Sequence, residues 1–222
     1  MSRALLLVGA GGLARETAEA VRARGVDELV GFLDDDPALW GTSLDGLPVL
    51  GGTSALPDHP DAQIVLCPGS GRARAAIAAR LGLADERYAT VVHPGVLVPA
   101  SCTIGVGTVL LAGSVLTTAV TVGRHVVVMP GSVLTHDVVL EDAATICARV
   151  ALAGGVRIRS AAYLGAGCVV REHVSVGLEA TVGMGAVVLR DVPDGEVWAG
   201  VPARRLDRTG ADDVPHSTES RA

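Results

Sequence analysis

Two stretches of this 222-residue chain carry residues whose types and spacing suit chemistry. The first is His136-Asp137, followed 18 residues on by Gly154-Gly155. A neutral imidazole removes a proton from an attacking amine or hydroxyl. A carboxylate beside it orients the ring. A backbone N–H polarises a thioester carbonyl and holds the developing oxyanion, and bare glycine leaves room for a ligand to approach it. These are parts for acyl transfer, provided that the fold stacks residues 18 apart. The plainer reading is that His136 is an ordinary solvated surface residue.

The second stretch is Gly9-Ala10-Gly11-Gly12-Leu13-Ala14, spaced as G-x-G-x-x-A. Ala4 to Val8 reads as a buried strand and Leu13 to Arg24 as a helix, so the turn opens a helix N-terminus. Backbone N–H groups and the helix dipole favour an anion there. Asp34 and Asp35 end the next strand, about 20 residues on, where a carboxylate accepts from a ribose hydroxyl. Gly69, after a third strand, falls at the same sheet edge. A tight βα turn with no ligand is the plainer reading.

The elements that must position His136 announce themselves by period. From Val92 to Val188 every sixth residue is Val, Leu or Ile, seventeen in succession. Period six fits neither a helix nor an alternating strand. It is the signature of a hexapeptide-repeat parallel β-helix, three hexapeptides to one triangular coil. Two residues before each aliphatic, from Cys102 to Ala186, stands a small or β-branched residue, so both rows point inward. Gly105, Gly123, Gly165, Gly177 and Gly183 follow row aliphatics, where a Cβ would crowd a corner. The narrow prism leaves no room for aromatics, and the chain has one Phe, two Tyr and two Trp. Coils stack about 4.8 Å apart, which places Gly154-Gly155 directly over His136-Asp137.

Before the repeat the texture differs. Leu29 to Leu33 and Ile64 to Cys67 read as strands and Arg72 to Leu83 as a helix rich in Ala and Arg. Alternating β and α implies a small parallel sheet. The expected organisation is therefore a Rossmann-like α/β domain over residues 1–88 and a β-helix over 89–193. A capping segment (194–206) and a polar, disordered tail (207–222) follow. An α/β domain of this size is about half a full dinucleotide-binding fold, which suits a mononucleotide better than NAD.

Composition excludes several classes. The net charge of −6 argues against nucleic acid as the main partner, and there is no basic run for an anionic membrane. No apolar segment approaches the roughly 20 residues of a spanning helix, and the start is too short for a signal peptide, so a cytoplasmic location is expected. Cys67, Cys102, Cys147 and Cys168 form no C-x-x-C pair, and Cys102 and Cys168 sit in the small inward row as buried thiols. His125, His136 and His173 lack the close pair that gamma-class carbonic anhydrases place on zinc, so no metal is expected. No outward row is rich in Thr, unlike ice-binding β-helices.

Taken in order, Gly9-Ala10-Gly11-Gly12, Phe32-Leu33-Asp34-Asp35, the hexapeptide array, Thr135-His136-Asp137, Ala153-Gly154-Gly155 and Gly200-Val201-Pro202-Ala203 resemble the bacterial sugar O-/N-acetyltransferase family. That family includes sialic-acid O-acetyltransferase-like proteins and the enzyme acetylating UDP-4-amino sugars. The resemblance covers about residues 3 to 206. It implies a left-handed β-helix and a homotrimer with acetyl-CoA between adjacent β-helices. It also implies a nucleotide sugar on the N-terminal domain. By the same resemblance His136 is the catalytic base and Asp137 its carboxylate. Thr145, Gly154, Ala166 and Met184 fall at acetyl-CoA, and Gly11, Gly12, Leu13, Asp34, Asp35 and Gly69 at the nucleotide sugar. Leu13 and Thr145 stand where many relatives carry His, which removes a polar contact at each site.

The expectation is acetyl transfer from acetyl-CoA to an amino group of a nucleotide-activated sugar, with a hydroxyl as the alternative acceptor. An alternative from another class is a trimeric nucleotide-sugar-binding protein without catalysis. A serine-acetyltransferase-like enzyme would leave the glycine turn unexplained.

Overall fold

The computed structural model describes residues 3–206; the expected tail, 207–222, lies outside them. The chain begins with a five-stranded sheet in the order β3-β4-β2-β1-β5. β1 (Arg3–Val8) lies centrally, between β2 (Asp27–Leu33) and β5 (Gln63–Leu66), parallel to both. Leu5, Leu6, Leu7 and Val8 are buried, the continuous apolar run of a strand covered on both faces. The helices are α1 (Gly12–Arg24) and α2 (Gly71–Leu81). Because the chain leaves β1 for β2 on one side and later returns to β5 on the other, a crevice opens at the carboxyl edge of the sheet.

An edge hairpin lies outside the sequence expectation. β3 (Ser43–Leu44) and β4 (Leu47–Gly51) form a hairpin on the edge. Its sequence signal was Asp45-Gly46, whose φ values of 49° and 79° are those of a type I′ turn. Pro48 hides the strand from a propensity reading, yet it pairs with Ser43 on an edge where Pro is tolerated.

The repeat forms a three-faced prism of parallel two-residue strands. The first face holds strands starting at 103, 121, 139, 157 and 175; the second at 91, 109, 127, 145, 163 and 181; the third at 115, 133, 151, 169 and 187. Partners are 18 residues apart, as in Val133↔Ala151 and Leu134↔Leu152. Row aliphatics from Leu110 to Val188 form one continuous buried core with the small row. The glycines after row aliphatics are needed where expected: a Cβ at Gly105 would stand 2.4 Å from Gly123 backbone, and one at Gly165 would stand 2.5 Å from Met184 N.

Both ends of the prism depart from the pattern. Val98 fits the row but is exposed, and residues 93–101 form turns and loop instead of a third-face strand. In regular coils the residue after the row aliphatic donates its N–H to the next coil, as Thr117 does to Leu134 O at 3.1 Å. Pro99 holds that position at the first coil and has no N–H to give. At the other end the aromatic exclusion fails once. Trp198 pairs in register with Val182 and is buried against the core. It closes the open end of the prism, where no further coil competes for the space.

From Gly107 to Gly185 every corner turns through a left-handed residue three past the row aliphatic, among them His125 (φ 52°), Asp137 (φ 61°), Ala143 (φ 58°) and Gly155 (φ 68°). The ladder has a fixed sense there: the left-handed residue donates to the residue 19 back, as Gly155 N–H does to His136 O at 2.9 Å. The left-handed residue's own carbonyl takes no part in the ladder.

Candidate active site

His136 and Asp137 occupy the corner between the third and first faces. Asp tolerates the left-handed backbone there better than most residues. That conformation turns its carboxylate back: Asp137 Oδ2 lies 2.8 Å from His136 Nδ1. With Nδ1 so engaged, Nε2 is the nitrogen left to take a proton. Both side chains are exposed.

Gly154 stacks over His136, and the structure revises its role. A Cβ there would lie 2.2 Å from Cε1 and 2.3 Å from Nε2 of His136. The space beside Gly154, expected to be open for a ligand, holds the imidazole itself. At Gly155 a Cβ would lie 2.5 Å from Nδ1 of His173, one coil further on. The double glycine thus seats two histidine rings along one corner. The Gly154 N–H makes no hydrogen bond among the described residues, and neither do those of Ala166 and Met184. At the equivalent position of three other corners this N–H meets a surface carboxylate, as Arg124 N–H meets Asp142 Oδ1 at 2.7 Å and Leu178 N–H meets Asp194 Oδ1 at 2.8 Å. The fold therefore presents an outward donor at Gly154, beside the histidine.

One chain does not bring the expected acetyl-CoA residues together. Gly154 lies on the corner between the third and first faces, while exposed Ala166 and Met184 lie on the corner between the second and third. Thr145 is on the second face and fully buried. Its Oγ1 accepts from Arg74 Nη2 at 3.0 Å and donates to Gly69 O at 3.1 Å. Thr145 is a strut between the two domains, not a surface for acetyl-CoA, because the N-terminal domain covers that stretch of the face.

The glycine turn is assembled at the carboxyl edge of the sheet. Gly9 has φ 97°, and the neighbouring Ala10 N–H donates to Asp34 Oδ2 at 2.8 Å. Asp34 Oδ1 accepts from Asp36 N–H at 2.9 Å. Asp35 Oδ1 accepts from Thr53 N–H at 2.7 Å and Thr53 Oγ1 at 2.8 Å, and Oδ2 meets Arg80 at 2.8 Å. The Thr53 N–H, ahead of the Thr53 hydroxyl and Arg80, holds the Asp35 carboxyl below its ordinary range despite partial desolvation. Both were expected as ribose acceptors; Asp34 already holds the turn, and Asp35 holds Thr53 and Arg80. Gly11, Gly12 and Gly69 are exposed, and a Cβ at any of them would meet open space. Their backbone is what a ligand at the α1 N-terminus would meet. Leu13 is buried in the core of the domain and lies beneath the turn. A cavity of about 150 Å³ adjoins, lined by Gly9, Asp34, Asp35, Thr53 and Pro68 among others.

Residues 4–81 match the PglD N-terminal domain family. UDP-N-acetylbacillosamine N-acetyltransferase of Bacillus subtilis (strain 168) is 32% identical over 112 residues, 48% of this chain and 50% of that protein. The matched segment thus spans about half the length of that relative. The acetyltransferase domain of PglB from Neisseria gonorrhoeae superposes with a TM-score of 0.84 at 34% identity, over 92% of this chain and 100% of that one. A His-to-Asn variant of perosamine N-acetyltransferase from Caulobacter crescentus, in complex with CoA and GDP-perosamine, superposes with a TM-score of 0.85 at 29% identity, over 92% and 97%. At the identity and coverage of the PglB domain, the chain belongs to the sugar N-acetyltransferases of the hexapeptide-repeat superfamily.

Proposed function

We propose that this protein transfers the acetyl group of acetyl-CoA to an amino group on a nucleotide-activated sugar. The observation that carries the chemistry is the His136–Asp137 pair beneath Gly154. The neutral amine nitrogen attacks the thioester carbonyl, and the C–N bond forms. His136 Nε2 takes the proton that the amine sheds, while Asp137 holds Nδ1–H. The Gly154 N–H supports the developing oxyanion. As the intermediate collapses the C–S bond breaks, and the CoA sulfur leaves with the proton that His136 returns. GDP-perosamine, present with a structural neighbour, and the nucleotide sugar in the name of the Bacillus relative support this acceptor class. The α1 N-terminus and the Gly11, Gly12 and Gly69 backbone are the surface for the nucleotide phosphates.

The split of the site across corners supports a homotrimer. The third face turns Val115, Val133, Ala151, Val169 and Val187 outward, an apolar ladder. The first face turns out Thr103, Thr121, Val139, Arg157 and Ser175. The second is covered by the N-terminal domain along Val91, Val109 and Val127. Three copies packing their third faces about one axis bury that ladder. Each copy's His136 corner then meets the Ala166 and Met184 corner of the next, with acetyl-CoA between them.

The test is CoA release with GDP- and UDP-linked 4-amino sugars. Turnover that survives His136→Ala unchanged would remove His136 from the mechanism. Turnover only with hydroxyl acceptors would move the reaction to O-acetylation.

A further inference from the structure

Among the described residues the largest fully buried side chain is a cation, Arg74. It sits in the first turns of α2, where the sequence shows only one arginine among several in an Ala-rich helix. No carboxylate among the described residues touches its guanidinium. Nε donates to His125 O at 2.9 Å; Nη1 to Pro68 O at 2.9 Å and Gly69 O at 3.2 Å. Nη2 donates to Ala143 O at 2.9 Å, Ala144 O at 3.0 Å and Thr145 Oγ1 at 3.0 Å. Both nitrogens of the fork and Nε are thus engaged in fixed directions. Burial pushes the guanidinium down to about 10, which leaves it charged at neutral pH.

The partners are not arbitrary. His125 and Ala143 are left-handed corner residues one coil apart, the position whose carbonyl the β-helix ladder leaves unused. Arg74 takes both. Its other branch holds Pro68 and Gly69, the loop after β5 that borders the crevice beside the glycine turn. Thr145 doubles the hold on Gly69 O. Gly71 sits close against the same corner: a Cβ there would lie 2.1 Å from Ala143 O. One planar fork therefore ties the β-helix to the loop that edges the proposed nucleotide-sugar site.

We infer that Arg74 is a positioning residue for the sugar acceptor: it sets the Pro68–Gly69 loop against the β-helix and so fixes where the N-terminal domain presents its ligand. The inference rests on the acceptor site proposed above. It assigns Arg74 to acceptor presentation and not to acetyl-CoA binding or proton transfer, since it lies on the covered corner, away from His136. Lysine cannot substitute, because a point ammonium with three donors does not match two diverging sets of carbonyls.

The test uses the full chain and steady-state CoA release with GDP-perosamine and a UDP-4-amino sugar. Arg74→Lys is expected to raise KM for whichever nucleotide sugar serves by about 10-fold or more, the loss of roughly one buried charge-assisted hydrogen bond. KM for acetyl-CoA is expected to stay within about twofold, a ratio that marks no lost contact. Arg74→Ala, which leaves a carbonyl-lined cavity, is expected to regain part of its acceptor affinity on adding methylguanidinium. Thr145→Val, which removes only the second hold on Gly69, is expected to show the same KM pattern more weakly. Thermal melting monitors folding, and the methylguanidinium arm decides the matter if Arg74→Lys melts early. Equal loss of both KM values, or a fall in kcat alone, or no rescue in a folded Arg74→Ala protein, overturns the inference. A wild-type protein that turns over neither nucleotide sugar overturns the site reading itself, whereas wild-type turnover with an unaltered Arg74→Lys KM overturns only the role of Arg74.

Discussion

Two corners of the same prism each carry a histidine, with opposite outcomes. His136 stands exposed, with Asp137 on Nδ1. His125 stands on the neighbouring corner, buried under α2, its ring edge-on to Tyr88 with centroids 4.7 Å apart. Neither of its ring nitrogens has a hydrogen-bond partner among the described residues. Both rings lie over glycine backbone, His136 at Gly154 and His125 at Gly107. The repeat provides a glycine seat for each, as it does for His173 at Gly155. What differs is the cover: an open corner leaves a histidine with a carboxylate partner free to exchange protons, while a covered corner turns it into packing.

Removing the exposed histidine is the strongest test of that contrast. His136→Ala is expected to lower turnover by about 10²–10⁴-fold, the usual worth of a positioned general base. His125→Asn, measured in the same CoA-release assay, is expected to keep most of its turnover. Equal losses at the two corners would erase the distinction.

The seat itself comes next. Gly154→Ala places a methyl 2.3 Å from His136 Nε2. The exposed ring must swing away, so turnover is expected to fall by about 10-fold or more within the range for a misplaced base. Melting should barely move, because little buried packing changes. A crystal structure with the ring unmoved would contradict the account.

Asp137→Asn probes the partner. Asn accepts the left-handed backbone as readily but presents a neutral oxygen to Nδ1. A smaller loss is expected, about 10-fold out of the general-base contribution. Asp137→Ala should also lose stability, since alanine at φ 61° is strained.

The smallest effect concerns the covered corner. Desolvation, then Arg124, depresses the His125 pKa, with Arg74 adding to this and Asp142 and Asp85 opposing it. A histidine whose folded pKa lies below its unfolded value near 6.5 is neutral in the fold. Its contribution is intact above about pH 6.5 and is lost as pH falls below that value. Wild-type melting temperature should therefore decline more steeply from pH 7.5 to 5.5 than that of His125→Asn. Parallel slopes would show that another group sets the acid sensitivity.

The sequence by itself determined the prism. Period six places an aliphatic on each face, and an 18-residue coil put Gly154 over His136, because both follow from local periodicity and ladder spacing. It also marked the βαβ start of the N-terminal sheet and the glycine turn. It did not show that Asp34 accepts from that turn and Asp35 from Thr53, since hydrogen-bond partners 18 or more residues away leave no local trace. Nor did it separate Val98, which fits the row, from its neighbours that fold into it; Pro99 was the signal. Only tertiary packing decided which corner stays open. The docking of α2 buries His125, recruits Thr145 as a strut and gives Arg74 five carbonyls to hold. The contacts that cross between the domains join residues some 50 to 76 positions apart, and they depend on how one domain rests on another, which no repeat within either domain encodes.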